Sequence, residues 1–248
     1  MHPRSTPRSR RDRPAKPALT RDGIVATAMG IMRADGLEKV TMRRLAQDLD
    51  TGPASLYVYV SNTAELHAAI LDELLGTLPA PADGPWRERL EELLTAYSLV
   101  LFAHPGLARS ALVARPSGPH YLNLIESLLR FLHEGGVPDG QAAWGVDVLM
   151  QYATATAAEH SAREQAVDAQ DEWDALSHAV HTADARTHPR IAALGARLMS
   201  GAPAERLSWG FRTLINGVVH TATPDHTATP DHTATPTPNT AAPEGEAP

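Results

Sequence analysis

The chain has 248 residues, of which 43% are hydrophobic, and it contains no cysteine. This length is enough for one large domain or two smaller ones, and the missing cysteine excludes disulfides, thiolate metal sites and a catalytic thiol. The sequence has no uncharged apolar run of about 18 residues and no signal-peptide core, so we expect a cytoplasmic protein with no membrane partner.

The net charge of −7 is unevenly distributed along the chain. Residues 1–60 carry eleven Lys and Arg against six acids, a balance of +5 that leaves −12 for the remainder. A cationic quarter on an anionic body indicates that this end contacts a polyanion. The alternative is a basic tail that only adds solubility.

Both ends of the chain have compositions typical of disorder. Residues 1–17 form an arm rich in Arg, Pro and Ser with little to bury. Residues 220–248 contain the repeat HTATPD, in which each proline forbids a continuous helix. The histidines of this tail lack a rigid frame, so a solvated tail is favoured over a metal-binding one; they are His220, His226 and His232.

The first helical pattern follows the basic arm. Apolar residues recur at helical spacing and the pattern ends at Asp35-Gly36, a helix stop; they are Ile24, Ala28, Ile31 and Met32. The same spacing returns after Asn62, which with Glu65 forms a plausible N-cap pair.

Between these helices lie two shorter ones. Thr41 is placed to cap a helix running to Leu49, with Leu45, Ala46 and Leu49 directed inward. A turn at residues 50–52 precedes Pro53, which suits the first turn of a helix running to about Tyr59. Two short helices joined by a turn containing glycine indicate a helix-turn-helix.

The residues of the second short helix are suited to contacting DNA bases in the major groove. Its first residues are small or polar, as a helix entering the major groove requires; they are Gly52, Pro53, Ala54 and Ser55. Leu56 and Val60 are predicted to anchor it, and Tyr57 and Tyr59 to point outward toward phosphates. The alternative is an ordinary helical hairpin with exposed tyrosines.

The remainder of the chain also reads as helical, with breaks where Gly and Pro cluster and no sustained strand-like alternation. The predicted helices cover 86–104, 107–114, 120–134, 139–169, 173–185, 191–199 and 204–219. We therefore expect an all-α protein. It would have a three-helix DNA-binding domain at 18–62 and a larger region of nine to ten helices at 63–219.

Residues 19–75 resemble the DNA-binding domain of the TetR family of bacterial transcriptional regulators. The resemblance is carried by several motifs in order: Gly36-Leu37-Glu38, Thr41-Met42-Arg43, Leu45-Ala46, Leu56-Tyr57-Val58-Tyr59-Val60, and Asn62 before Glu65-Leu66. Residues 104–137, with their Arg115-Pro116 turn, and 209–218 are similar to the sensing domain of the tetracycline-repressor branch.

The resemblance implies roles for individual residues. Arg43 matches a guanine-reading position, Pro53, Ala54, Ser55 and Tyr57 match groove positions, and Thr41 and Tyr59 match phosphate contacts. Thr63 stands where relatives usually carry a phosphate-binding lysine, although the helix N-terminus can still hold phosphate there. We expect the arginines of residues 4–16 to compensate, in the minor groove.

The resemblance also implies a homodimer that binds palindromic operator DNA and leaves it when a small-molecule inducer binds. The expected pocket lies among the helices from Trp86 to Glu159. Its candidate lining residues, each of which has plain core packing as the alternative, are Tyr97, Phe102, His104, Leu112, Tyr121, Trp144, Met150, Tyr152 and Glu159.

The tetracycline–magnesium complex is not the expected inducer. Aligned through the Arg-Pro turn, the histidine that tetracycline repressors use for magnesium falls at Ala111. Glu159 matches the acidic ligand, but one carboxylate is a poor cage for a hard cation. We therefore expect a largely apolar inducer, no bound metal and no cofactor.

Dimerisation is expected on residues 140–162 and 204–219, whose Ala, Gly and Thr let helices approach closely, although small residues also suit a helix buried within one protomer.

An enzyme is disfavoured, since His178 and His181 come with no nucleophile or phosphate-loop motif. The second alternative is a ligand-binding or adaptor protein with impaired DNA recognition. The prediction is a DNA-binding regulator, with repression as the family's commoner mode.

Overall fold

The computed structural model describes residues 18–224, so the arm 1–17 and the tail from 225 onward lie outside the described residues. The described part contains eleven α-helices, one short 3-10 helix at Leu37–Lys39 and no strand, which confirms the all-α prediction. The helices are α1 Arg21–Asp35, α2 Met42–Asp48, α3 Pro53–Leu56, α4 Thr63–Leu75, α5 Trp86–Ala103, α6 Pro105–Ala111, α7 Pro119–Glu134, α8 Asp139–Gln165, α9 Ala169–His181, α10 Pro189–Leu198 and α11 Pro203–His220.

Two details differ from expectation. The described part of the larger region has eight helices, fewer than the nine to ten expected. Helix α11 includes His220, the first residue of the segment expected to be disordered.

Helix α1 forms as its sequence predicts. The Thr20 hydroxyl oxygen accepts a hydrogen bond from the Gly23 amide, which caps the helix. The four predicted apolar side chains are buried. The helix ends at Gly36, whose φ of 91° is available to glycine at little cost.

Helices α2 and α3 form the predicted helix-turn-helix. Thr41 caps α2, its hydroxyl oxygen accepting from the Arg44 amide at 3.2 Å. The left-handed residue of the turn is Asp50, with φ 49°, and not the glycine at 52. Helix α3 ends at Leu56 and not near Tyr59, because the amides of Tyr59 and Val60 share the Leu56 carbonyl and close a tight turn.

Helix α4 joins the two regions. It is capped as predicted, since the Asn62 side-chain oxygen accepts from the Glu65 amide at 2.9 Å, while Glu65 reaches back to the Ser61 amide. Leu66 and Ile70 are fully buried beside α1. Further along, α4 packs against α6 and α7, so a single helix contacts both the N-terminal head (residues 18–62) and the larger region.

The larger region is built around α5, α7, α8 and α11, which pack against one another. Small residues on α8 and α11 allow this packing. A Cβ on Gly145 would lie 2.5 Å from Val218, and one on Gly210 would overlap the Tyr152 hydroxyl. The buried alanines of α8 also lie inside the protomer, as the alternative interpretation of this helix allowed; they are Ala142, Ala153, Ala157 and Ala158.

Helices α9 and α10 lie on the outside of the described structure. They pack against each other, with Gly195 close to Val180. No α9 side chain is buried, and Gly195 is the buried residue of α10. Within 18–224, no helix is both long and apolar enough to cross a membrane.

Candidate nucleic-acid interface and ligand cavity

The segment from Gly52 to Tyr59 protrudes from the head. Its two anchors, Leu56 and Val60, are fully buried, as predicted. The two tyrosines between these anchors are exposed, with 52% of Tyr57 and 37% of Tyr59 accessible. Gly52, Pro53, Ala54 and Ser55 are likewise exposed. The segment therefore presents small groups and two phenols to solvent on a fixed base.

The adjacent arginines of α2 have different surroundings. Arg44 pairs with Asp35 at 3.2 Å and with Asp48 at 3.1 Å. Arg43 is exposed and has no ion-pair partner among residues 18–224. The Arg43 guanidinium is thus available to a ligand from outside the described chain.

Two further exposed residues flank this surface. Thr63 is the first residue of α4, directly after the Asn62 cap, where helix amides face solvent. Val58 is 80% exposed, more than either tyrosine beside it, and was not among the predicted contacts. A usable signal for Val58 was its position midway between the two predicted anchors, Leu56 and Val60.

A cavity of about 80 Å³ lies where α5, α6, α7 and α8 meet. It brings together four of the nine predicted ligand residues, namely Tyr97, Leu112, Tyr121 and Met150. Five other residues that were not predicted as ligand contacts also line it: Ala111, Arg115, Pro116, Gln151 and Thr154. Such a volume holds two or three waters, whereas ligand pockets span roughly 300–1,000 Å³. Binding of a larger molecule requires the cavity to widen.

The polar groups around this cavity include two neutral phenols and a paired arginine, besides Gln151 and Thr154. The Tyr97 hydroxyl lies 2.8 Å from the Thr154 hydroxyl oxygen. Burial raises the pKa of Tyr97 to about 12 and raises the pKa of Tyr121 above its ordinary value. Arg115 donates to Asp147 at 2.8 Å. The tyrosines therefore remain protonated at neutral pH and can donate hydrogen bonds.

The other five predicted ligand residues do not line this cavity. On α8, Tyr152 points away from Met150 and packs edge-on against Phe211. Trp144 is 50% exposed, and Glu159 is exposed and paired with Arg163. At the other end of the region, Phe102 packs against His160, and half-buried His104 precedes α6, where burial lowers its pKa.

A wider cleft of about 690 Å³ separates the head from the loop before α7. This cleft was not predicted, and its lining includes six charged residues: Arg21, Asp22, Glu65, Asp72, Glu73 and Arg115. Among residues 18–224 no group of three His, Asp or Glu side chains is arranged to hold a metal ion.

Residues 78–221 match the sequence profile described as "Tetracyclin repressor-like, C-terminal domain". The chain belongs to the TetR family. The matched segment covers most of the larger region, from the turn after α4 to the end of α11.

Two solved structures share most of this fold. The transcription regulator SCO7704 of Streptomyces coelicolor is 57% identical, covering 84% of this chain and 98% of its own, with a TM-score of 0.73. ActR of Streptomyces coelicolor, in complex with actinorhodin, is 36% identical over 82% of this chain and 96% of its own, with a TM-score of 0.69.

Among curated sequences, the HTH-type transcriptional repressor DrrR1 of Streptomyces coeruleorubidus is 32% identical over 151 residues, 60% of this chain and 56% of its own. The match thus spans about half the length of that repressor. DrrR1 and SCO7704 are both described as regulators of transcription.

Proposed function

We propose that the chain is a transcriptional repressor that binds operator DNA as a homodimer and is released by a small molecule. The observation that carries the proposal is the protruding segment 52–59, anchored at Leu56 and Val60, beside Arg43, which has no ion-pair partner among residues 18–224. Because α3 has a single turn, its small first residues can approach base edges without blocking the groove.

Individual DNA contacts follow from the exposed groups. Arg43 can offer a bidentate fork to the O6 and N7 atoms of guanine. Ser55 and Tyr57 would lie in the groove, with the Val58 side chain against a thymine methyl group. Phosphates would be held by the hydroxyls of Thr41 and Tyr59 and by the amides that begin α4 at Thr63.

The dimer is proposed to form on α8 and α11. Their outward sides carry large apolar side chains that are partly exposed in the described structure, with Val148 43% and Trp209 66% exposed. On α11, Gly217 has no atom within 4 Å of an added Cβ, so a second helix can approach it closely. We therefore propose two domains: a DNA-binding head at 18–62 and a sensing and dimerisation region at 63–219.

The ligand is proposed to enter the cavity between Tyr97 and Tyr121. The aliphatic and aromatic side chains of the lining, together with neutral phenol donors, favour a largely apolar molecule that carries hydrogen-bond acceptors. ActR, which is solved with actinorhodin, supports a small molecule of this kind. Tetracycline–magnesium fits poorly, because Ala111 lines the cavity where a histidine would be needed and Glu159 is paired with Arg163 outside it.

Selection of bound duplexes from random-sequence DNA with the purified full chain tests this function. A repressor enriches a palindromic site, and candidate ligands, actinorhodin first, are then screened for release of that duplex. The alternative, an adaptor with impaired DNA recognition, predicts no enriched sequence. A catalytic role is not proposed, in keeping with the regulators to which the chain is similar.

A further inference from the structure

Asp72 is a buried carboxylate that links two helices. It lies in the third turn of α4 and is 5% exposed, one of four buried polar side chains in the described residues. Its Oδ1 accepts a hydrogen bond from the Tyr121 backbone amide at 2.8 Å. Because an isolated buried carboxylate is costly, this contact is part of what keeps α4 and α7 in register.

The start of α7 is built to receive this carboxylate. Gly118 is the N-cap residue and supplies no side chain, and Pro119 has no amide hydrogen to offer. A Cβ on residue 118 would overlap the Asp72 carboxylate, so glycine leaves the room that the acid occupies. Helix α4 thus provides the cap that α7 lacks in its own sequence, at the positive end of a 16-residue helix.

The capped residue is also part of the ligand cavity. The Tyr121 side chain lines the cavity, while its own amide is bound to Asp72. Widening of the 80 Å³ cavity at Tyr121 therefore acts on the helix turn that Asp72 holds. The opposite end of α4 begins at Thr63, directly after the DNA-reading segment, and Leu66 and Ile70 fix that end to the head.

A second hydrogen bond connects α4 to the wall of the cavity, but it does not involve a carboxylate. The His67 Nδ1 atom lies 2.7 Å from the Ser110 hydroxyl oxygen, next to the cavity residue Ala111. This pair is neutral when the imidazole is neutral, whereas the Asp72 contact is charge-assisted. Asp72 is therefore the stronger of the two links.

We propose that Asp72 is a positioning residue that couples the state of the cavity to the angle of α4, acting through the Tyr121 backbone amide. The proposal rests on the proposed function, because the coupled sites are the operator surface and the ligand cavity. By reciprocity, DNA bound at the head must then change the protection of the Tyr121 amide.

Amide hydrogen exchange on the full chain tests the link, with the duplex selected by the wild type as the probe. The variants are Asp72→Ala, Asp72→Asn, which retains an acceptor oxygen, and Glu73→Ala, an exposed neighbour. In the free chain, Asp72→Ala is expected to speed exchange at Tyr121 by about tenfold or more, with Asp72→Asn between it and the wild type. The Phe211 amide in α11 reports global destabilisation, which would speed both sites together.

Exchange measured with the DNA duplex bound distinguishes coupling between the two sites from a change in stability. Bound duplex should change the Tyr121 exchange rate in the wild type and in Glu73→Ala but leave it unchanged in Asp72→Ala. Equal exchange at Tyr121 in Asp72→Ala and wild type, or a duplex effect that survives this change, overturns the proposal. If the wild type selects no duplex, the proposed function and the coupling both fail, while the capping contact is still judged by the exchange comparison in the free chain.

Discussion

Arg43 and Arg44 are neighbours in α2, yet Asp35 and Asp48 hold Arg44, while no acid among residues 18–224 pairs with Arg43. This difference gives a matched test of base reading. Arg43→Ala should lose about 1–3 kcal/mol of affinity at one base position and relax specificity there. Arg44→Ala removes exposed ion pairs worth at most about 1 kcal/mol to stability. It should leave the base preference intact.

Competition binding with a panel of single-base variants of the selected duplex measures this effect. A uniform loss across the panel for Arg43→Ala would assign the arginine to phosphate and not to a base. The same base-specific loss in Arg44→Ala would remove the distinction between the two side chains.

Deletion of residues 1–17 tests the role assigned to the arm. These residues include Arg4, Arg8, Arg10, Arg11 and Arg13, and they lie outside the described residues. Each phosphate they neutralise steepens the dependence of log affinity on log salt by about 0.9. The truncated chain should therefore give a shallower salt slope. An unchanged slope would remove the arm from the interface and leave Thr63 without a compensating charge.

The sequence predicted the head more fully than the cavity. Helical spacing in α1, the caps at Thr41 and Asn62, and the anchors Leu56 and Val60 are local patterns, and the structure confirms them. The cavity depends instead on which faces of four helices meet. Sequence reasoning therefore found aromatic residues on α8 but could not tell that Met150 faces inward and Tyr152 faces α11.

The link from Asp72 to Tyr121 was beyond sequence reasoning for the same reason. The two residues are 49 positions apart, and no local pattern relates a carboxylate in one helix to the amide of another. Similarly, Ala and Gly on α8 indicated close helix packing, but whether the partner helix belongs to the same protomer depends on the tertiary fold.

Charge placed on the outer side of α11 should break the dimer. The protomer mass is 26.6 kDa, so sedimentation of the wild type should give twice that value. Trp209→Glu buries a carboxylate in the proposed interface and should shift the species toward 26.6 kDa. Leu99→Glu, at a similarly exposed apolar residue on α5, is the control and should remain dimeric. A dimer that survives Trp209→Glu would move the interface elsewhere.

Acidification should weaken the contact between α4 and α6. Burial lowers the pKa of His67 below its ordinary value near 6.5, so the unfolded chain takes up this proton at a higher pH than the folded chain. The contribution to stability is present above about pH 6.5 and is lost as the pH falls toward the folded-state pKa. His104 shifts in the same direction for the same cause.

Denaturant unfolding between pH 7 and 5 measures this dependence. His67→Gln should flatten the fall of the unfolding free energy with pH, whereas His178→Gln, exposed on α9, should leave it unchanged. Parallel curves for wild type and His67→Gln would assign the acid sensitivity to other groups.

Removing one partner of the hydrogen bond between Tyr97 and Thr154 should cost more stability than the net contribution of a typical hydrogen bond. Both groups are buried, and their oxygens are 2.8 Å apart. Tyr97→Phe leaves the Thr154 hydroxyl without this partner and should cost about 1–3 kcal/mol, whereas Thr154→Val with Tyr97→Phe removes both polar groups. The double variant should therefore be closer to wild type than the sum of the single variants. Additive losses in the unfolding free energy would mean that the two hydroxyls do not interact in solution.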